Sequence, residues 1–313
     1  MTTTAGRNGS PSTASGAPPP PPAASEQPRL LRFADVLPAL RADAEGAHEA
    51  RVKGVARGPV TGLGELDDVL GGVLQPGLHV TQGGSGIGKT AFALQVAATC
   101  GFPALFVSCE MSLVELLRRH TARATGTFLD RLKSGEMAPD DVVRRAEQAI
   151  AAAPQLALVD GTRAYAAPAL LLDFALAARG DARHVLVVID SIHSWAEQAD
   201  DRLTEYEALN GGLAALRTLS SRLNCPILGI AERNRASMAT GGISSSAGSR
   251  KFEYGAESVI GLQVDEKDAL QFTPPEKAIR ITVEKNRNGA SGMSLKAVFH
   301  GALQRFSDRA PGR

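Results

Sequence analysis

The chain has 313 residues, 43% of them hydrophobic, and a formal net charge of +1. That is enough apolar material for one α/β domain with attached segments, but no apolar run is long enough to span a membrane. With so little net charge, any contact with nucleic acid has to come from a local basic patch. The three cysteines, Cys100, Cys109 and Cys225, are odd in number and form no CxxC pair. This argues against a zinc site or a disulfide framework and suits a reducing compartment. The N-terminus lacks the basic-then-apolar order of a signal peptide, so the expected location is the cytoplasm, away from membranes.

Residues 1–28 are rich in Ser, Thr, Ala, Gly and Pro, with five consecutive prolines from Pro18 to Pro22. Such a stretch cannot bury enough apolar surface to fold, so it reads as a disordered Pro-rich N-terminal tail. From residue 30 to about 50 the pattern changes. Leu30, Phe33, Val36, Leu37 and Leu40 recur at helical spacing, with Pro38 expected to bend or restart the helix. A loop follows at 54–59. The resulting division is a tail (1–28), a linker helix and loop (29–58) and an α/β domain (59–313).

From Thr61 onward β and α signals alternate, which predicts a mostly parallel central sheet covered by helices. Strands are expected at 78–81, 104–108, 156–159, 184–189 and 226–231. Helices are expected at 91–99, 113–124, 140–152, 167–178 and 205–223. At the end, residues 279–283 and 295–299 alternate apolar and polar around the loop Lys285-Asn286-Arg287-Asn288-Gly289, a C-terminal β-hairpin with a basic tip.

Between the first strand and the first of these helices lies Gly83-Gly84-Ser85-Gly86-Ile87-Gly88-Lys89-Thr90, a full GxxxxGK[ST] loop. Its backbone N–H groups can cradle nucleotide phosphates at a helix N-terminus. Lys89 reaches the terminal phosphates, and the Thr90 hydroxyl ligates Mg²⁺. A nucleoside triphosphate with Mg²⁺ is therefore the expected ligand. The apolar strand 184–189 delivers Asp190 to a sheet edge, where a second Mg²⁺-positioning group is needed. Glu110 follows the strand 104–108 to the same edge, where a carboxylate can orient or deprotonate the attacking water. Ser112 and Glu115 read as a capping box for the next helix, which leaves Glu110 for that role. Spacing alone leaves Lys285 and Arg287 open between an arginine-finger pair and a solvated turn. Arg233, Arg235, Arg250 and Lys251 surround a Gly/Ser-rich stretch without aromatics, suited to tracking a phosphodiester backbone rather than stacking bases.

The motifs resemble those of RecA-fold P-loop motors, most closely the C-terminal motor domain of DnaB-type replicative helicases. TGLGELDDVLGGVLQPG (61–77) with GKTAFALQVA (88–97) is similar to that family's first motif block. SCEMSLVELLRR (108–119) resembles its catalytic-glutamate motif, VLVVIDS (185–191) its Walker B strand, and EKNRNGASG (284–292) the basic hairpin that reaches the adjacent subunit's nucleotide. The resemblance implies a RecA-like P-loop fold, catalytic roles for Glu110, Lys89, Lys285 and Arg287, and metal binding by Thr90 and Asp190. It further implies an ATP-hydrolysing DNA helicase or translocase that acts on single-stranded DNA as a ring, a hexamer in this reading. The stripe at 30–50 falls where such proteins carry the linker helix that docks on the next protomer. A replication initiator, loader or primase is the kind of partner implied. That partner class is an expectation for the family as a whole. The Pro-rich tail reads as standing where the family has its N-terminal helical domain, so collar formation and loader or primase binding are not assigned to particular residues of this chain.

Glu232 stands where the family has a Gln. An ionised Glu repels a γ-phosphate to which a Gln amide can donate. The segment GSRKFEYGAESVI (248–260) and the first block also resemble the RadA recombination ATPase. That leaves two alternatives: a RadA-like recombination or repair ATPase, and a regulatory RecA-fold ATPase that does not bind DNA.

Overall fold

The computed structural model describes residues 30–232, 252 and 255–308. The Pro-rich tail and Arg233, Arg235, Arg250 and Lys251 lie outside them. Contacts divide the chain into residues 1–48 and 49–313. The division falls within helix α1 (Phe33–Lys53). That helix runs through Pro38 without the expected break, and none of its residues is buried. No helix among the described residues is long and apolar enough to cross a membrane.

The remaining helices are α2 (Gly64–Val69), α3 (Lys89–Thr99), α4 (Leu113–Thr125), α5 (Pro139–Ala152), α6 (Pro168–Arg179), α7 (Ile192–Glu197) and α8 (Glu205–Leu223). The strands are β1 (Gly77–Gly83), β2 (Ala104–Ser108), β3 (Leu156–Asp160), β4 (Leu186–Asp190), β5 (Pro226–Glu232), β6 (Ser258–Val264), β7 (Glu276–Asn286), β8 (Met293–His300) and β9 (Arg305–Asp308). They form one sheet in the order β3-β2-β4-β5-β1-β6-β7-β8-β9. Strands β1 to β6 pair in parallel, and β6 to β9 are antiparallel. The long apolar runs of β2 and β4 follow from their central place, since helices cover both faces of a parallel sheet. Alternate residues feed two cores. Phe106, Leu186 and Val188 pack with Phe92 of α3 on one face. Leu105, Val107, Val187 and Ile189 pack with Trp195 and Leu216 on the other.

The hairpin differs from the sequence expectation in one respect. Strands β7 and β8 stay paired only as far as Val283↔Met293. Lys285 and Asn286 continue alongside Val259 and Ser258 of β6 instead of forming a free tip. The capping box also forms only in part. Ser112 caps the Glu115 N–H, but the Glu115 carboxylate binds Arg119 and Lys133. The complete box lies at Thr204 and Glu207 on α8.

At the centre of the sheet the buried Thr81 hydroxyl makes no hydrogen bond among the described residues, whereas the His79 ring is paired. His79 on β1 is buried with its ring nitrogens 2.8 Å from Ser258 Oγ and 2.7 Å from the Gln75 carbonyl. Burial pushes its pKa down to about 4. The folded value lies below that of the unfolded chain, so this stabilisation is present above pH ~6.5 and is lost as pH falls towards 4. Urea midpoints at pH 7 and pH 5 test this. The wild type should lose about 2 kcal/mol more than His79→Gln between the two. Asp190 titrates with the opposite sign in both proteins and cancels in the difference. Equal losses would show that His79 is not held neutral.

Candidate active site

The parallel strands bring their C-terminal ends to one edge of the sheet. Reading across that edge, β2 leads to Glu110, β4 ends at Asp190, β5 ends at Glu232, and β1 runs into the loop Gly83–Thr90. Register fixes this order, with Ser108 opposite Asp190 and Gly83 opposite Glu232. A turn in which Ser108 Oγ donates to the Met111 carbonyl at 2.6 Å sets the chain around Glu110. The Cys109 N–H donates to the Asp190 carbonyl at 2.7 Å, tying that turn to β4.

These elements enclose a cleft of about 280 Å³ lined by Ser85, Gly86, Gly88, Lys89, Thr90, Glu110, Asp190 and Glu232. Gly88 is the N-cap of α3 in a left-handed conformation, φ 99°. A Cβ there would come within 3.0 Å of the Phe299 ring, so only glycine lets the loop close over that aromatic floor. The Lys89 ammonium donates to the carbonyls of Gly83 and Gly84 at 3.0 and 3.1 Å. Its nearest carboxylate is Glu232, at 4.0 Å. The Glu232 side chain is 68% exposed, so the pair contributes little.

Asp190 is 3% exposed and accepts a hydrogen bond from Thr90. Burial pushes its pKa up to about 6, the Thr90 bond opposes this, and the nearby Glu110 charge adds to it. A buried carboxylate against a threonine hydroxyl is an oxygen donor set that fits Mg²⁺. Among the described residues no three His, Cys, Asp or Glu side chains gather to hold a metal. A divalent cation at Thr90 and Asp190 would thus take its other oxygens from phosphate and water. The cysteines are all free and buried. Burial and the charges of Asp190 and Glu110 raise the Cys109 thiol to about 12, leaving it protonated and unreactive.

Lys285 and Arg287 are not part of this cleft. The Lys285 ammonium donates to the Ala256 carbonyl at 2.7 Å, and Arg287 pairs with Glu257 at 3.2 Å. The Glu257 N–H donates to the carbonyl of Leu78 at the start of β1, whereas the phosphate loop follows the end of β1. Five strand residues separate the two positions by about 17 Å. The two cations therefore lie toward the opposite edge of the sheet from their own chain's phosphate loop.

Three groups at or beside the cleft had not been singled out from the sequence. The Arg119 guanidinium reaches in from α4 and donates to Gln304 Oε1 at 2.6 Å. Ser191 and Ser194 both donate to Glu110 Oε1. Ser191 was visible within the β4 motif, but Ser194 depends on α7, a helix of six residues, too short to leave a periodic signal.

The model of the DnaB-like helicase C-terminal domain family matches residues 58–308. The replicative DNA helicase DnaB of Treponema pallidum is 27% identical over 263 residues, covering 81% of this chain and 57% of that protein. The chain thus spans little more than half the length of this curated relative. Among solved structures, an ATPase domain aligns with a TM-score of 0.73 at 17% identity, covering 88% of this chain and 99% of that one. A DnaB-like replicative helicase studied for its interactions with primase aligns with a TM-score of 0.72 at 16% identity, covering 92% of this chain and 69% of that one. At such identities the likeness is one of fold, a RecA-like α/β domain with a mostly parallel sheet and antiparallel C-terminal strands. The match of the family model across most of the chain settles its membership: the chain belongs to the DnaB-like helicase C-terminal domain family.

Proposed function

We propose that this chain is an ATP-driven motor that translocates along single-stranded DNA and unwinds duplex ahead of it in DNA replication, working as a ring, most simply a hexamer. The observation that supports this most is the grouping of Lys89, Thr90, Asp190 and Glu110 around one cleft. In this reading the backbone of residues 83–88 and Lys89 hold the phosphates of ATP, while Thr90 and Asp190 hold Mg²⁺. Mg²⁺, when bound, offsets charge on the phosphate oxygens. Glu110 orients the attacking water and takes its proton as the bond to the leaving ADP breaks. Lys285 and Arg287 serve the nucleotide of the adjacent subunit, consistent with their distance from their own cleft. The helix stripe Leu30 to Leu40 docks on a neighbouring protomer. Arg233, Arg235, Arg250 and Lys251 contact the DNA backbone.

The test is ATP turnover with and without single-stranded DNA across a salt series. Stimulation that fades steeply as salt rises is expected, because each phosphate contact releases a counterion. Turnover indifferent to DNA at every salt concentration would refute the motor reading. It would favour a regulatory ATPase, a reading for which Glu232, set 4.0 Å from Lys89 where it opposes a γ-phosphate, is the supporting observation. DNA-stimulated turnover without strand displacement would favour a recombination or repair ATPase of the RadA type.

A further inference from the structure

Two hydroxyls converge on the carboxylate proposed to activate water. Ser191 Oγ donates to Glu110 Oε1 at 2.5 Å, and Ser194 Oγ donates to the same oxygen at 2.6 Å. The hydroxyls are themselves 3.0 Å apart. We infer that Ser191 and Ser194 are positioning residues that clamp Oε1 of Glu110 and leave Oε2 to meet the nucleophilic water. The inference rests on the reading of Glu110 as the general base.

The plainer alternative is that Ser191 only caps α7, since its Oγ accepts from the Ser194 N–H at 3.3 Å. Capping uses an acceptor lone pair, however, and leaves the hydroxyl proton to be placed. That proton goes to Glu110. Ser194 has no capping duty at all, yet its hydroxyl makes the same contact from one turn further along. Each hydroxyl has a single proton and both are directed at one carboxylate oxygen, a charge-assisted arrangement stronger than a neutral pair.

The clamp is useful only if α7 is itself fixed, and its packing holds it. Ile192 and Trp195 are fully buried, and the Trp195 indole N–H donates to the Ala166 carbonyl at 2.8 Å. A Cβ on Gly229 of β5 would lie 2.3 Å from Ile192 Cδ1, so glycine is needed there for α7 to sit against the sheet. Glu110, by contrast, is exposed on a turn with little packing of its own. A mobile carboxylate is a poor general base, because an error of about 1 Å in placement can cost a hundredfold in rate. The clamp transfers the rigidity of the α7 core to Glu110.

The experiment compares Ser194→Ala, Ser191→Ala with Ser194→Ala, and Ser194→Thr in the full chain. The readouts are steady-state ATP turnover, dissociation constants for a fluorescent ATP analogue and melting temperatures, with Glu110→Gln in parallel. The double variant should lose about ten- to hundredfold in kcat while KM and nucleotide affinity hold within twofold. Ser194→Thr, which keeps the hydroxyl, should restore turnover relative to Ser194→Ala. Loss of kcat only in step with melting temperature, with no rescue by Thr, would overturn the clamp as a mere structural effect. Unchanged kcat in the double variant beside an inactive Glu110→Gln would overturn the clamp alone. If Glu110→Gln turned over normally, the role of Glu110 as base would fall, and this inference with it.

Discussion

Glu110→Gln should bind ATP as tightly as the wild type while turnover falls by about two to four orders of magnitude. The substitution preserves the shape of the side chain and can still engage the serine hydroxyls, but an amide cannot accept the proton of the attacking water. Glu110 makes no ion pair with Lys89, whose ammonium bonds the loop carbonyls instead. Removing its charge therefore leaves the phosphate-holding groups in place. Binding of a fluorescent ATP analogue, measured beside steady-state turnover, separates the two effects. Parallel loss of affinity and turnover would mean that Glu110 holds the site together and does not activate water.

Arg287→Ala should lower turnover by about 10³- to 10⁵-fold, the range expected when a cation opposite the transferring phosphoryl group is lost. The direct structural cost should be small. The Arg287 side chain is 51% exposed, and its ion pair with Glu257 lies at the surface of the sheet edge. A large kinetic effect with an unchanged melting temperature would thus identify a chemical role at a distance from the chain's own cleft. A normal rate would return Arg287 to the solvated-turn reading that its sequence context also allowed.

Much of the architecture was legible because it is local. Helix α8 and strand β2 have the bounds read from the pattern, and the phosphate loop announces itself in eight residues. Asp190 and Glu110 could be placed at one edge because parallel strands end there together. What escaped the sequence depends on contacts far along the chain. Strand β6 is an apolar run interrupted by Gly261, and it becomes a strand through its pairing with β1 and β7. Strand β9 has four residues and is held through Phe306, which stacks on Phe299 at 4.6 Å and meets Phe92 edge-on. The basic tip was misplaced for the same reason. Alternation gave the β7–β8 hairpin, but nothing local reveals that β7 outruns β8 to lie against β6. In the site itself, Glu232 stood out as a departure from the family pattern, while the serine clamp required the fold to bring residues 110 and 194 together.

The shared-site model is tested most directly by mixing Arg287→Ala with Lys89→Ala, each nearly inactive alone, and measuring ATP turnover across mixing ratios. An Arg287→Ala subunit keeps an intact phosphate loop, and a Lys89→Ala neighbour still supplies Arg287. In a head-to-tail ring with random incorporation, about a quarter of the sites in a 1:1 mixture are complete. Turnover that rises to roughly that fraction of the wild-type rate, with its maximum near equal mixing, is the predicted result. No recovery at any ratio, with co-assembly verified, would contradict a site completed across a subunit interface.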